Sequence, residues 1–536
     1  MTPTGNTSAS IQVKTLDRKH SEWLLYNDMF NSIDLLYEGS VKLKNRGMDL
    51  LSRRPKELID VYNERYRRLT YQNLIGNCVG WYLAKLFSRE AQIDGKTTDE
   101  RFAAFLQDCD RGGTTFADFT KARAEEMFLF RRTFILVDKP APTGPVQTRA
   151  DEKEQGLDRP YLIPYDPRQA FNWACDEYGN LNWIIFKTVE VSQGGPLDAV
   201  TQSANWWLFD RTSYRHYRYT NPSDALTDGT FFEQSSITDS KDAVATLIDE
   251  GPHALSNENE VPVIMWELPR SLWFASRAYL HLLEHFDQKN GYAWKLFMCA
   301  HPQLVIQSEK EITGKTLSEV SFLQIDPNDK IFWLEPNGAS LKESRDYLNE
   351  LRQEIYRDFC LQAQGRPSTA TADGASGYSK EMEMAPSVDM LNGIGDVIRP
   401  SQQLTLIAYK AAAGMAAMND TQTPDVNGYR FESKPVLQDI TIAQALTETG
   451  VPDKSPTLEK LVDTNIAMAV CDGQNEAIKE TIRTEIEAAP TRKEQAAIDA
   501  QAQMDQQQQQ FEQQLSARLD HTDATNVVKQ ESDSIA

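Results

Sequence analysis

The most regular amphipathic pattern in the chain, over residues 340–361, runs straight into a stretch that cannot hold a fold by itself. Leu341, Leu348, Leu351, Ile355 and Phe359 recur at helical spacing, while Glu343, Arg345, Glu350, Arg352, Glu354 and Arg357 fall largely elsewhere on the wheel. That pattern predicts one long helix with a single buried face. Ser340 and Glu343 fit an S-x-x-E capping box at its start. At about 1.5 Å per residue such a helix reaches on the order of 35 Å. The next stretch, 364–378, is Gly-rich, carries only Arg366 and Asp373 as charges, and holds no large apolar side chain before Tyr378. It buries too little surface to fix itself and is expected to be a mobile loop. Another helix is expected from Ser379, kinked or interrupted by Pro386 and Pro400. A long helix delivering such a loop suits a loop held against something that moves, or a solvated connector.

Ahead of this helix the period changes several times. Residues 1–20 begin with a polar run that lacks a signal-peptide pattern, and they are expected to be disordered. Apolar residues then recur at helical spacing, as at Trp23, Leu24, Met29, Ile33 and Leu36, and again at Trp81, Tyr82, Leu86 and Phe87. Residues 133–137 form an apolar strand, and 159–268 read mainly as strands, with 236–258 expected as a loop containing a short helix. Residues 271–298 read as a long helix with aromatics over much of its circumference, among them Trp273, Phe274, Tyr279, Phe286, Trp294 and Phe297. Strand character returns within 301–338. Beyond 440 four polar helical segments are expected, broken near 450–452, 472–473 and Pro490, with a Gln-rich run over 501–514. There is no internal repeat, and the fold class is α+β.

Composition removes several functions. With 56 basic and 78 acidic residues the net charge is −22, which argues against a nucleic-acid-coating protein. It leaves room for a protein past which DNA slides without being held. The six cysteines are scattered with no C-x-x-C, so no thiolate metal site is indicated. The most apolar window, 272–286, is interrupted by Arg277, His281, Glu284 and His285, so no membrane span and no membrane partner are expected. The Gly-Lys pairs at 95–96 and 314–315 lack the upstream glycine of a phosphate loop, and Gly393-Ile394-Gly395 has Ile398 where a third glycine would stand. No cofactor and no catalytic residue is therefore assigned. His281-x-x-Glu284-His285 matches the inverted zincin pattern, but nothing marks a third ligand and the helix is rich in core aromatics. Asn172-Trp173, Asn182-Trp183 and Asn205-Trp206-Trp207 could stack on bases, yet few cations lie near them, and sheet core is the expected use.

Several segments together resemble one group of tailed-phage portal proteins, the head–tail connectors of double-stranded DNA bacteriophages. Phe134-Ile-Leu-Val-Asp138-Lys-Pro140 is similar to the strand and Val-Asp-x-Pro turn that follow the N-terminal helices of that group. Arg159-Pro-Tyr161, Ile163-Pro-Tyr165 and Phe171-Asn-Trp173 with Gly179 are similar to the next strands, and 203–219 to a later strand pair. The order of elements resembles the portal fold over roughly residues 20–450. The resemblance implies a disordered N-terminus (1–20), a wing of helices then strands (21–268), a first stem helix (269–300) and a clip (301–338). A second stem helix (339–363), a tunnel loop (364–378) and a crossing helix with return to the wing (379–450) follow. A helical crown (451–519) and a disordered tail (520–536) complete it.

By the same resemblance the chain forms a homo-oligomeric ring at one capsid vertex, of twelve subunits in most members, and is not an enzyme. The ring is a passive channel for double-stranded DNA in packaging and ejection. Its partners are the terminase large subunit, head-completion, adaptor and tail proteins, and major capsid or scaffold protein. It resides in the virion and, during assembly, in the host cytoplasm. Arg366, Ser368, Thr369, Thr371, Asp373 and Ser376 are the expected channel-lining residues, and Lys310, Glu311, Lys315 and Glu319 the expected partner contacts in the clip. The alternatives are a zinc hydrolase built on His281 and His285, and a non-viral scaffold protein.

Overall fold

The computed structural model describes residues 10–533 except 89–90, 95–99, 141–143, 145–147, 194, 197–199, 221–242, 301–302, 308–329, 335–338, 363–376, 419–423, 430, 432–444, 446–454 and 471–475. The architecture is α+β. The chain divides into two units, Met1–Phe431 and Glu432–Ala536.

The first unit opens with β1 (Ser10–Gln12) and α1 (Val13–Leu16). There follow α2 (Ser21–Glu38), α3 (Ser40–Arg46), α4 (Ile59–Arg67), α5 (Leu74–Leu86), β2 (Gln92–Asp94), α6 (Glu100–Gln107) and α7 (Phe116–Phe130). The helix starts are chemically marked. Asn73 accepts from Gly76 N at 2.7 Å ahead of α5, and Thr115 from Asp118 N at 3.1 Å ahead of α7. Their apolar faces meet in one core, where Tyr82, Phe128 and Phe274 lie ring against ring.

The strand region holds β3 (Arg132–Asp138), α8 (Arg149–Glu154), β4 (Tyr161–Tyr165), β5 (Ala170–Cys175), β6 (Leu181–Gln193), β7 (Val200–Asp210), β8 (Tyr214–Thr220), β9 (Val244–Gly251) and β10 (Val263–Glu267). Six strands make an antiparallel sheet in the order β1-β9-β8-β7-β6-β5, and three make another in the order β10-β3-β4. Period-two alternation divides the burial. Ile184 and Phe186 on β6 join Phe134, Leu136 and Tyr165 in one cluster, whereas Ile185 joins Trp206, Tyr217 and Val13 in another. Trp173 and Trp206 are buried sheet residues, as expected of the aromatic clusters.

Two expectations fail here. Within the expected disordered N-terminus (1–20), residues 10–20 are ordered. β1 pairs with β9 through Ile11↔Ala245, and Val13 and Leu16 are 2% and 3% exposed. Asp17 accepts from Trp206 Nε1 at 2.8 Å and from Lys187 Nζ at 3.0 Å. A three-residue strand is too short to show a period, so a polar composition hid it. Within 236–258, Val244–Gly251 is a strand rather than a loop; it is an inner strand of the sheet, and only Ser256–Glu258 is a short 3-10 turn.

The unit closes with α9 (Phe274–Ala300), the antiparallel pair β11 (Gln303–Gln307) and β12 (Lys330–Leu334), then α10 (Ala339–Asp358), α11 (Gly377–Ala412) and β13 (Asp425–Asn427), which pairs with β2. Leu348, Leu351, Ile355 and Phe359 are all buried, as the spacing predicts. The capping box is not made as expected, because α10 begins at Ala339 and Ser340 lies inside its first turn. Pro386 and Pro400 do not interrupt α11, which runs through both.

In the second unit the described helices are α12 (Pro456–Val470), α13 (Glu476–Ala488) and α14 (Arg492–Asp533), which fall on the last three of the four expected segments; the first, from 440, lies almost wholly outside the described residues. Lys460 Nζ donates to Glu487 O at 2.5 Å, joining α12 to α13. The expected disordered tail (520–536) is helix as far as Asp533. Gln, Ala, Glu and Arg, good helix formers, dominate α14 before this tail, and the helix carries on through it.

Candidate functional site

The site indicated by the sequence is built on α9 and α10. Phe274 stacks on Tyr82 at 5.0 Å and meets Phe359 at 4.9 Å. Tyr82 Oη donates to Phe359 O at 2.6 Å, and Trp273 Nε1 to Leu129 O at 3.3 Å. Both helices are thus anchored in the main core through their aromatic faces. Along their length they run antiparallel. His281 Nδ1 lies 2.8 Å from Asp358 Oδ2, and Lys295 Nζ donates to Ser344 Oγ at 2.9 Å.

The end of α10 is set by backbone chemistry. Cys360 sits at φ 55°. Leu361 N donates to Tyr356 O at 2.7 Å, and Cys360 N to Arg357 O at 2.9 Å. This is the paired bonding of a Schellman stop, with Tyr356 and Leu361 both buried beneath it. Glycine usually occupies that left-handed position; here a cysteine does, so the stop is imposed by its surroundings rather than by local preference. The helix therefore ends at a defined point immediately before 363–376.

All six channel-lining candidates, Arg366, Ser368, Thr369, Thr371, Asp373 and Ser376, lie outside the described residues. So do the clip candidates Lys310, Glu311, Lys315 and Glu319. What is described is the frame that carries both segments: the β11–β12 pair around 308–329, and the ends of α10 and α11 around 363–376.

The zincin-like motif resolves into two separate environments. His285 is 3% exposed, and burial, then the charges of Lys289 and Arg352, lower its pKa to about 4, so it is neutral near pH 7. His281 faces α10 instead, bonded to Asp358 with Glu354 Oε2 at 3.8 Å from its Nε2. Glu284 accepts from Gln288 Nε2 at 3.0 Å. Among the described residues no three His, Cys, Asp or Glu side chains group as metal ligands. Gly393 and Gly395 also have a packing role. A Cβ on Gly395 would lie 2.6 Å from Tyr429 O, and one on Gly393 3.1 Å from Leu272 Cδ2. The pair lets another segment approach α11 closely.

Sequence reasoning missed a local excess of positive charge. Residues 42–68 hold nine basic side chains against four acidic ones, within a chain of net charge −22. They fold as α3, a loop and α4. The loop is fixed by a buried ion pair, Arg65 Nη2 to Glu57 Oε2 at 3.0 Å, with Arg54 N donating to the same oxygen at 3.0 Å. A charge count in a sliding window reveals this segment, whereas the whole-chain sum conceals it.

No protein-family model matches the chain, and no curated protein matches it at a significant level.

Proposed function

We propose that this chain is a portal protein. It forms a homo-oligomeric ring through which double-stranded DNA passes during packaging and ejection, and on which terminase and head–tail adaptor proteins dock. The observation that carries this reading is one continuous succession. A 27-residue helix leads into a two-stranded β pair, a 20-residue helix returns antiparallel to it, and a polar Gly-rich segment then precedes a 36-residue helix. The exposed apolar side chains of α9 support it. Leu280 is 71% exposed, and Leu296 and Met298 are also open. A neighbouring subunit packed against the helix pair would cover such residues. Electron microscopy of the purified full-length protein tests the proposal. Rings with a central channel are expected, and counting their symmetry gives the subunit number. A protein that stays monomeric both alone and with capsid and scaffold protein would overturn it.

A further inference from the structure

The basic segment lies against the last turns of α9. The Arg68 guanidinium sits over the Phe297 ring at 3.8 Å, and Thr70 N donates to Asn290 Oδ1 at 2.8 Å. The contact side is therefore the face of α9 that carries Asn290 and Phe297. A different face, carrying His281 and Lys295, holds α10. On a helix of 3.6 residues per turn these two faces are roughly 170° apart, on opposite sides of α9.

The outer surface of the segment is cationic and apolar together. Arg46, Lys56 and Arg67 are exposed, and between them Leu58 is 71% and Ile59 53% exposed. The nearest acidic partners offset this charge only weakly. Arg46 lies 3.7 Å from Asp49 and Arg67 3.6 Å from Glu64, both on the surface where such pairs contribute little.

α10 carries the complementary pattern. Glu343, Asp346 and Glu350 are exposed and recur at three- and four-residue spacing, which places them on one stripe beside the exposed Tyr347. The level also corresponds. Ser344 is opposite Lys295, so the acidic stripe spans the same part of α9 as the contacts of Thr70 and Arg68.

We infer that the basic face of 42–68 on one copy of this chain docks against the acidic α10 face of the next. Two different surfaces meeting at one height make a head-to-tail contact, the kind that closes into a ring. Arginine set among exposed apolar side chains is the composition of a protein interface, and the rest of the chain supplies the acidic counterpart. This inference rests on the ring proposed above and assigns its contact residues.

Reciprocal charge reversal tests it. One full-length variant carries Arg46→Glu, Lys56→Glu and Arg67→Glu; the other carries Glu343→Lys, Asp346→Lys and Glu350→Lys. Each alone should need at least about tenfold more protein than wild type to assemble in light scattering, corresponding to roughly 1.4 kcal/mol at each interface. A chain with all six changes should assemble near the wild-type concentration. An equimolar mixture of the two variants should also recover, as mixed assemblies in which the variants alternate. Circular dichroism of each variant checks that it folds. If wild type forms rings and both folded variants assemble equally well, the inference fails and the portal reading stands. If wild type forms no ring under any condition, both fail. Loss of duplex DNA binding by the basic-face variant with unchanged assembly would assign the patch to phosphate contact and overturn the inference.

Discussion

His285 makes a measurable difference to how stability depends on pH. In the fold its pKa is lowered from 6.5 to about 4, first because burial penalises the charged imidazolium. The unfolded chain therefore binds a proton more readily than the native one between those values. The native state is favoured in full above the unfolded pKa and loses that advantage as pH falls toward the native value. The complete loss is about 3 kcal/mol, and the part between pH 7 and 5 is about 2 kcal/mol. His285→Leu replaces the ring with an apolar group that cannot titrate. Urea unfolding followed by tryptophan fluorescence at pH 7, 6 and 5 should show wild type losing about 2 kcal/mol more than the variant. His20, His216 and His253 also have lowered pKa values, each mainly through burial. They act in the same direction in both proteins and cancel in the comparison. At pH 5 and above most carboxylates stay ionised. Parallel pH dependences would refute the claim that His285 is neutral in the folded core.

The Arg65–Glu57 pair, with side chains 2% and 5% exposed, holds the loop of the basic segment. Arg65→Met strands the Glu57 carboxylate and should cost about 3–5 kcal/mol, whereas Arg65→Met with Glu57→Leu should cost clearly less; the urea midpoints of the two variants decide it. Deleting 366–376 should leave assembly intact, because the buried stop at Tyr356 and Leu361 lies before the deletion, while DNA packaging or retention in a phage assembly assay falls. Unchanged packaging would remove that segment from the channel.

What the sequence made legible follows from the length of each pattern. The buried face of α10 has Leu348, Leu351, Ile355 and Phe359 across three turns, enough repeats for the period to be unmistakable. The alternation of β6 separates Ile184 and Phe186 from Ile185 in the same way. β1 has three residues, and its order depends on a strand more than two hundred residues away, so no local pattern encodes it. The basic face was invisible for another reason. Net charge is a sum, and a sum of −22 says nothing about where nine cations sit within 42–68. For the candidate channel and clip residues, the sequence supplies their chemistry and the structure supplies only the frame around them.

The prolines of α11 show how tertiary structure overrides a strong local signal. Each interior proline removes one backbone donor and crowds the preceding turn, at a cost of about 3 kcal/mol. The helix continues through both, and at Pro400 its surroundings offset that cost. Ile394, Ile398, Leu406 and Tyr409 are buried on both sides of Pro400, and each such side chain contributes about 1.5–3 kcal/mol. Serine hydroxyls bond back to the backbone beside both prolines. Ser401 Oγ donates to Val397 O at 2.7 Å in the turn that the Pro400 ring crowds. Ser387 Oγ donates to Met384 O at 2.7 Å beside Pro386. Thr405 Oγ1 accepts from Trp266 Nε1 at 3.0 Å, and Gln402 Nε2 donates to Thr120 Oγ1 at 3.1 Å, so the segment after Pro400 is tied to β10 and α7. A proline in a sequence states only the local penalty. Whether the helix breaks depends on the surface buried on either side, and at Pro400 that surface is large enough to carry α11 through.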